Sequence, residues 1–299
     1  MGDPRCTNGR GYRRRPRLPR AADPADSQAM WDLLRCAHIG PCVAVTVIAS
    51  MLALAGGRGA GTVWVASAVF AGQLSIGWAN DWLDEGRDRA AGRTDKPVVT
   101  GAVAAQTLRA AALVALAACA VLSLASGPAA AAVHLLAVGF GWAYDLGLKR
   151  TAASVVPFVA AFGLLPAFVA LGLDAGRLPP WWIVVGGGLL GAAAHLTNAI
   201  PDLEVDARTG VRGLPQRLGA GRSLAASAVL LAAAGAVVVA GPAGRPGPGS
   251  TAAAAVGGVL VCGVVAAGAR DRPRAAFRLT MGAALAVTVA LVASGGRLG

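Results

Sequence analysis

The sequence predicts an all-α protein that crosses a membrane many times, and three observations support this fold class. Hydrophobic residues make up 56% of the 299 residues and charged residues only 14%, with a mean hydropathy of +0.60, far from the composition of soluble domains. The apolar residues lie in runs of about 20, the length that spans a bilayer as a helix. Many of them are Ala, Gly and Val, which predicts helix packing through small residues.

Nine such runs follow a basic segment at the N-terminus. Residues 1–27 are rich in Arg, Pro and Gly and lack apolar periodicity, so we expect a disordered tail that contacts anionic lipid. One transmembrane domain at 28–299 then follows. Its predicted spans are 31–55, 61–82, 102–126, 129–147, 151–173, 180–201, 221–241, 250–268 and 275–294.

The basic residues predict how these spans are oriented. All but four of the 27 Lys and Arg residues fall at the N-terminus, in the gaps after even-numbered spans or at the helix ends beside them; the four are Arg58, Arg177, Arg245 and Arg297. Positive residues collect on the cytoplasmic side of membrane proteins. We therefore expect a multi-pass protein of the cell membrane with its N-terminus in the cytoplasm and its C-terminus outside. The net charge of +12 is explained in this way, and no nucleic-acid partner is expected.

The first acidic segment ends the second predicted span. It reads NDWLDEGRDRAAGRTDKP at 80–97, and Asp81, Asp84 and Asp88 are spaced i, i+3, i+7 within it. This spacing places three carboxylates on one helical face. A solvated, charged loop is the alternative, but such a loop has no reason to keep three acids in register.

The second acidic segment ends the sixth predicted span. It reads HLTNAIPDLEVD at 195–206, where Asn198, Asp202 and Asp206 are spaced i, i+4, i+8. Together the two segments hold eight of the 15 acidic residues, and both end on the predicted cytoplasmic side. The second segment alone is weak evidence for a functional site. The presence of a similar acidic segment at the end of another span strengthens that evidence.

Such acidic rows need a cation between them, because carboxylates on one face repel one another and are costly near hydrocarbon. Mg²⁺ fits best, since it prefers oxygen ligands and joins one or two carboxylates to substrate phosphates. Arg87, Arg93 and Lys96 follow the first row, and Arg208 and Arg212 the second; all suit phosphate oxygens. The pattern predicts an anionic substrate with a lipid tail.

Three motifs resemble the UbiA superfamily of intramembrane prenyltransferases. They are N-D-x-x-D-x-x-x-D at 80–88, D-x-x-x-D at 202–206, and Tyr144 with Lys149 in YDLGLKRT. The resemblance extends over most of 30–295. It implies a nine-helix all-α fold around a central cavity, capped by the loops after the second and sixth spans.

The resemblance also implies roles for individual residues. Tyr144, Lys149 and the Arg and Lys of RTDKP, residues 93 and 96, would lie near a diphosphate. On the first span a basic residue, Arg35 or His38, would meet an acidic group of an acceptor, and the local sequence does not choose between them. The residues expected to handle the Mg²⁺-diphosphate are Asn80, Asp81, Asp84, Asp88, Asp202 and Asp206.

Several of these side chains also have a purely structural interpretation. Asn198 is expected to contact the metal or the diphosphate, but it could instead bond a neighbouring helix. Tyr144 and Lys149 could be an interfacial aromatic and a positive anchor. We interpret Asp145 as a helix-end residue and His195 as a packing residue.

The expected activity is Mg²⁺-dependent transfer of a prenyl group from a polyprenyl diphosphate to a small acceptor, aromatic or other, through an allylic cation. A terpene cyclase would form the same cation without an external acceptor. A transporter is the alternative from another class, but its acids would lie at mid-membrane depth. No motif selects the acceptor or the length of the donor chain.

Overall fold

The computed structural model describes residues 24–242 and 246–293, and within these ranges the regular elements are all helical. The basic tail lies outside the described residues except for 24–27, which begin the first helix rather than ending a disordered segment. The α-helices are α1 (Pro24–Cys36), α2 (Ile39–Ala55), α3 (Thr62–Ala90), α4 (Pro97–Thr100), α5 (Ala105–Leu124), α6 (Pro128–Leu146), α7 (Val156–Leu171), α8 (Trp181–Ala199), α9 (Leu203–Arg208), α10 (Leu214–Ala240), α11 (Pro248–Ala269) and α12 (Pro273–Ala293).

Eight of the described helical segments are long and apolar enough to cross a membrane. A ninth span exists only when α1 and α2 are counted together, and these two meet at an angle of 72°. The first span predicted at 31–55 is therefore bent rather than one straight helix. The bend has a local cause, because His38 adopts the left-handed conformation, with φ 54°, and interrupts the helical hydrogen-bond ladder.

The bend holds α1 and the residue after it against the middle of α3. Ala37 packs so closely on Gly77 of α3 that a Cβ at that glycine would clash with the Ala37 carbonyl oxygen. Beside this contact, the indole nitrogen of Trp78 donates a hydrogen bond to the carbonyl of Leu33, 2.9 Å away. As a result α1 lies next to α4 and the loop that follows α3.

Small residues set the packing of the long helices, as the composition predicts. Gly187 and Gly191 of α8 face the carbonyl oxygens of Phe162 and Phe158 on α7, and a Cβ at either glycine would clash with that backbone. Such close approach increases van der Waals contact, which drives helix association in lipid. The main apolar core lies between α2, α3, α7, α8, α10 and α12.

The end of α8 differs from its prediction. The α-helix stops at Ala199, a 3₁₀ turn covers Ile200–Asp202, and α9 then begins at Leu203. Pro201 explains the break, because proline has no N–H to donate to the helical ladder. The predicted unbroken i, i+4, i+8 stack along this helix was therefore wrong in geometry.

Candidate active site

Three of the four aspartates of the first acidic segment lie on the buried side of α3, as their spacing predicts. Asp81, Asp84 and Asp88 are 2%, 2% and 0% exposed. Carboxylates buried to this extent need positive partners, and the neighbouring elements provide them.

Lys96, just before α4, neutralises two of these aspartates. Its ammonium lies 2.9 Å from Asp81 Oδ1 and 2.6 Å from Asp88 Oδ2. Burial disfavours the charged form of Lys96, but the two aspartates outweigh it and raise the pKa of this lysine. His38, at the bend between α1 and α2, also reaches Asp81 Oδ1, at 3.2 Å.

Arg87 joins the two acidic segments. Its Nη2 lies 2.8 Å from Asp84 Oδ2 and 3.3 Å from Asp88 Oδ1, while its Nη1 lies 3.0 Å from Asp206 Oδ1. Gln216, which the sequence analysis did not identify, donates to the other oxygen of Asp206 at 2.7 Å. The two rows therefore face each other across a single guanidinium group.

Arg93 makes a second link between the segments. It lies 3.0 Å from Asp202 Oδ1 and donates to both oxygens of Asp95 at 2.9 Å. The hydrogen bonds with Asp95 raise the pKa of Arg93 above its ordinary range, and Arg93 lowers the pKa of Asp95 to about 2. The loop between α3 and α4, which carries Arg93 and Asp95, is thus held against the 3₁₀ turn that carries Asp202.

Lys149 brings a third element to the site, and with it a residue that sequence reasoning missed. Its ammonium lies 2.7 Å from Asp84 Oδ2 and 3.8 Å from Asp145 Oδ1. Asp145 is 5% exposed and accepts a hydrogen bond from Asn80 at 2.7 Å, so it lies at the end of α6, as predicted, and is also a buried member of the cluster. The signal was its spacing, four residues before Lys149.

Tyr144 lies on α6 beside this cluster, and its described contacts are made by its ring. It packs edge-on against Phe158 and His195, with centroid distances of 5.1 and 5.6 Å. His195 forms a hydrogen bond with Ser154 at 3.0 Å through Nε2, whereas its Nδ1 is buried without a partner, so its packing role stays a prediction. No described residue forms a hydrogen bond with the Tyr144 hydroxyl, so its assignment to a diphosphate stays a prediction.

Four other predicted residues lie at the margin of the cluster. The side chain of Arg35 is 61% exposed. Its guanidinium donates a hydrogen bond to the backbone carbonyl of Asp95, 3.4 Å away. Asn198, Arg208 and Arg212 are exposed, and their side chains have no hydrogen-bond partner within the described ranges. Their assignments to substrate or metal also stay predictions.

The charges and free oxygens of the cluster fit a divalent cation. Seven carboxylates face only four Lys and Arg side chains in these networks, which leaves a surplus of negative charge. Buried Asp84 Oδ1 and Asp145 Oδ2 accept no hydrogen bond. Among the described residues no three acidic, His or Cys side chains form a complete metal cage, but Mg²⁺ commonly shares one or two carboxylates with substrate phosphates.

Comparison with known proteins relates this site to one family. The sequence profile of the UbiA prenyltransferase family matches residues 43–287, whereas the search of curated proteins finds no match. Three similar solved structures share the fold. The apo UbiA homologue from Aeropyrum pernix K1 has a TM-score of 0.68 at 22% identity and covers 85% of this chain and 98% of its own.

The other two solved structures are more distant in sequence. A UbiA homologue from Archaeoglobus fulgidus bound to DMAPP and Mg²⁺ has a TM-score of 0.59 at 16% identity, covering 86% of this chain and 99% of its own. A digeranylgeranylglyceryl phosphate synthase has a TM-score of 0.61 at 17% identity, covering 91% of this chain and 100% of its own. At these identities the likeness concerns the fold.

Proposed function

The chain belongs to the UbiA prenyltransferase family, and from this premise we propose that it transfers a prenyl group from a prenyl diphosphate to a small acceptor at the carboxylate cluster, with Mg²⁺. One observation carries the proposal: the guanidinium of Arg87 contacts both Asp84 and Asp206, at 2.8 and 3.0 Å. The two acidic rows are thus close enough for one ligand to lie between them.

The two aspartate rows are suited to hold the metal ions. Asp81, Asp84 and Asp88 on one side and Asp202 and Asp206 on the other supply the hard oxygen ligands that Mg²⁺ prefers. Bound Mg²⁺ would neutralise the diphosphate and so make it a better leaving group. The unpaired oxygen of Asp84 gives this aspartate a free acceptor for that role.

The basic side chains of the cluster are suited to the phosphate oxygens. Arg87, Arg93, Lys96 and Lys149 pair with carboxylates when no substrate is bound. With substrate and metal in the site, these cations would exchange their carboxylates for phosphate oxygens, to which guanidinium and ammonium groups bind well. They would also stabilise the negative charge that develops on the departing diphosphate.

The apolar helices around the cluster are suited to the lipid part of the reaction. A prenyl chain would lie among them, away from water, so that its allylic cation reacts with the acceptor before water can trap it. A fold relative bound to DMAPP and Mg²⁺ and a relative that is a digeranylgeranylglyceryl phosphate synthase support a prenyl diphosphate as donor.

The test is to incubate the purified protein with Mg²⁺ and prenyl diphosphates of increasing length, with and without a panel of acceptors. Aromatic acids, glycerol phosphates and sugar phosphates would form the panel, and mass spectrometry would identify the products. We expect a prenylated acceptor and release of diphosphate. A cyclic hydrocarbon formed without acceptor would assign the chain to the cyclases, and unchanged donor under all conditions would contradict the proposal.

A further inference from the structure

A basic cleft opens beside the carboxylate cluster. Its volume is about 490 Å³, large enough for a diphosphate with its water. None of the described residues that line it is acidic. They are Arg87, Ala90, Ala91, Arg150, Arg208 and Thr209.

Two of the three arginines of this basic cleft lack partners, and the third, Arg87, has one free nitrogen. The Nε of Arg87 is buried and forms no hydrogen bond. Arg150 and Arg208 are exposed, and neither guanidinium has a hydrogen bond or ion pair with any residue that the structure describes. A buried, unsatisfied N–H is costly, and two unpaired arginines in a cleft with no acid among its described lining residues favour an anionic ligand.

Arg87 connects the basic cleft to the carboxylate cluster. Its two terminal nitrogens contact Asp84, Asp88 and Asp206 in the carboxylate cluster. Its Nε has no partner, and the Arg87 side chain also lines the cleft. A guanidinium is planar and presents its donors in a fixed fork, so the Arg87 side chain is placed to link the two sites.

We propose that the basic cleft is a second phosphate subsite, which receives the diphosphate after it leaves the carboxylate cluster. This inference rests on the proposed function for the source of the diphosphate. The unpaired Arg150 and Arg208 complement the charge of free diphosphate, while the surplus of carboxylates in the cluster repels that anion once its metal ions have gone. The side chain of Arg87 lies between the two sites.

The test measures binding and requires no turnover. Inorganic diphosphate is titrated into the purified full-length protein by calorimetry in buffer with EDTA, so that metal-dependent binding at the carboxylate cluster does not contribute. We expect R150A and R208A to weaken binding by about tenfold each, the effect of losing roughly one charge-assisted hydrogen bond. The matched control is R222A, an exposed arginine outside the cleft, which should bind as the wild type does.

Two further measurements distinguish released diphosphate from the phosphate of an acceptor as the ligand of the cleft. Glycerol phosphate, titrated in the same way, stands for an acceptor headgroup, and we expect it to bind more weakly than diphosphate. Asp202→Asn, which alters the carboxylate cluster away from the cleft, should abolish turnover but keep metal-free binding of diphosphate. The proposal is overturned if the R150A/R208A double variant, folded by thermal melt, binds diphosphate like the wild type, or if glycerol phosphate binds more tightly.

Discussion

At the scale of single residues, the site is a set of buried acids that the chain neutralises with its own cations. Asp84 illustrates this: one of its oxygens is shared by Lys149 and Arg87, and the other has no partner. Because every cation here also suits phosphate, the same side chains can maintain the fold and bind the substrate. Substitutions in the cluster therefore have to be designed to separate the two effects.

Asp84→Asn keeps the size of the side chain and removes its charge. We expect prenyl transfer to fall by roughly 10²-fold or more, since a ligand for the leaving group is lost, while expression and monodispersity in detergent persist. The control is Asp271→Asn, an exposed acid in the left-handed conformation, which Asn also tolerates. An Asp84→Asn enzyme with wild-type turnover would remove this aspartate from the mechanism.

Lys96→Met leaves Asp81 and Asp88 buried without their shared cation. Breaking a buried pair from one side costs about 3–5 kcal/mol, so we expect a lower midpoint of thermal unfolding in detergent. Added Mg²⁺ should restore part of the loss by replacing the ammonium. Arg89→Met, which breaks the exposed pair with Glu85, should change stability by less than about 1 kcal/mol. Equal effects of the two substitutions would argue against this account.

Sequence spacing identified most of the cluster but not how its members pair. The i, i+3, i+7 spacing of Asp81, Asp84 and Asp88 was sufficient to predict one buried face, because all three belong to one helix. Asp145 was missed because its partners, Asn80 on another helix and Lys149 beyond the end of its own, are brought to it only by the fold. Contacts between separate elements leave little trace in a single sequence.

At the scale of elements, glycines decide how closely the helices approach. Gly191 of α8 lies against the Phe158 carbonyl of α7, and these helices carry the second acidic segment and the aromatic side chains beside it. By contrast, Gly139 of α6 has open space where a Cβ would be. The two glycines therefore offer a matched comparison.

We expect Gly191→Ala to destabilise the protein by about 1–3 kcal/mol, because the added methyl forces α7 and α8 apart. Gly139→Ala should be neutral or stabilising by up to about 1 kcal/mol, since Ala is the better helix former. Thermal unfolding of both variants in the same detergent is the measurement. A Gly191→Ala protein as stable as Gly139→Ala would show that the α7–α8 contact is not limiting.

The positions of the helices were predictable, but their breaks were less so. Runs of about 20 apolar residues are long enough to give each span. The bend at His38 was not predicted, because it depends on a left-handed residue with no glycine to signal it. The break at Pro201 was predictable, because a proline inside a helix removes a backbone hydrogen bond. The regular spacing of Asn198, Asp202 and Asp206 nevertheless suggested a continuous helix.

At the scale of the whole molecule, charge predicts the orientation in the membrane, and labelling in intact cells can test it. In a background of Cys6→Ser and Cys262→Ala, Arg177→Cys should react with an impermeant maleimide from outside. Arg270→Cys should react only after the membrane is opened. Both arginines are exposed, so access to the reagent depends on the side of the membrane. The reverse labelling pattern would place the carboxylate cluster outside.

The guanidinium of Arg87 joins the two acidic rows when no metal is bound. Because each of the seven carboxylates already has at least one cationic partner within the chain, we expect the fold to form without metal, and metal binding then exchanges some of these partners. A chelator should accordingly silence turnover while the protein stays folded, with only the lower melting midpoint that follows from losing a bound ligand, and readdition of Mg²⁺ should restore activity. Unfolding on chelation would mean that the ion is structural.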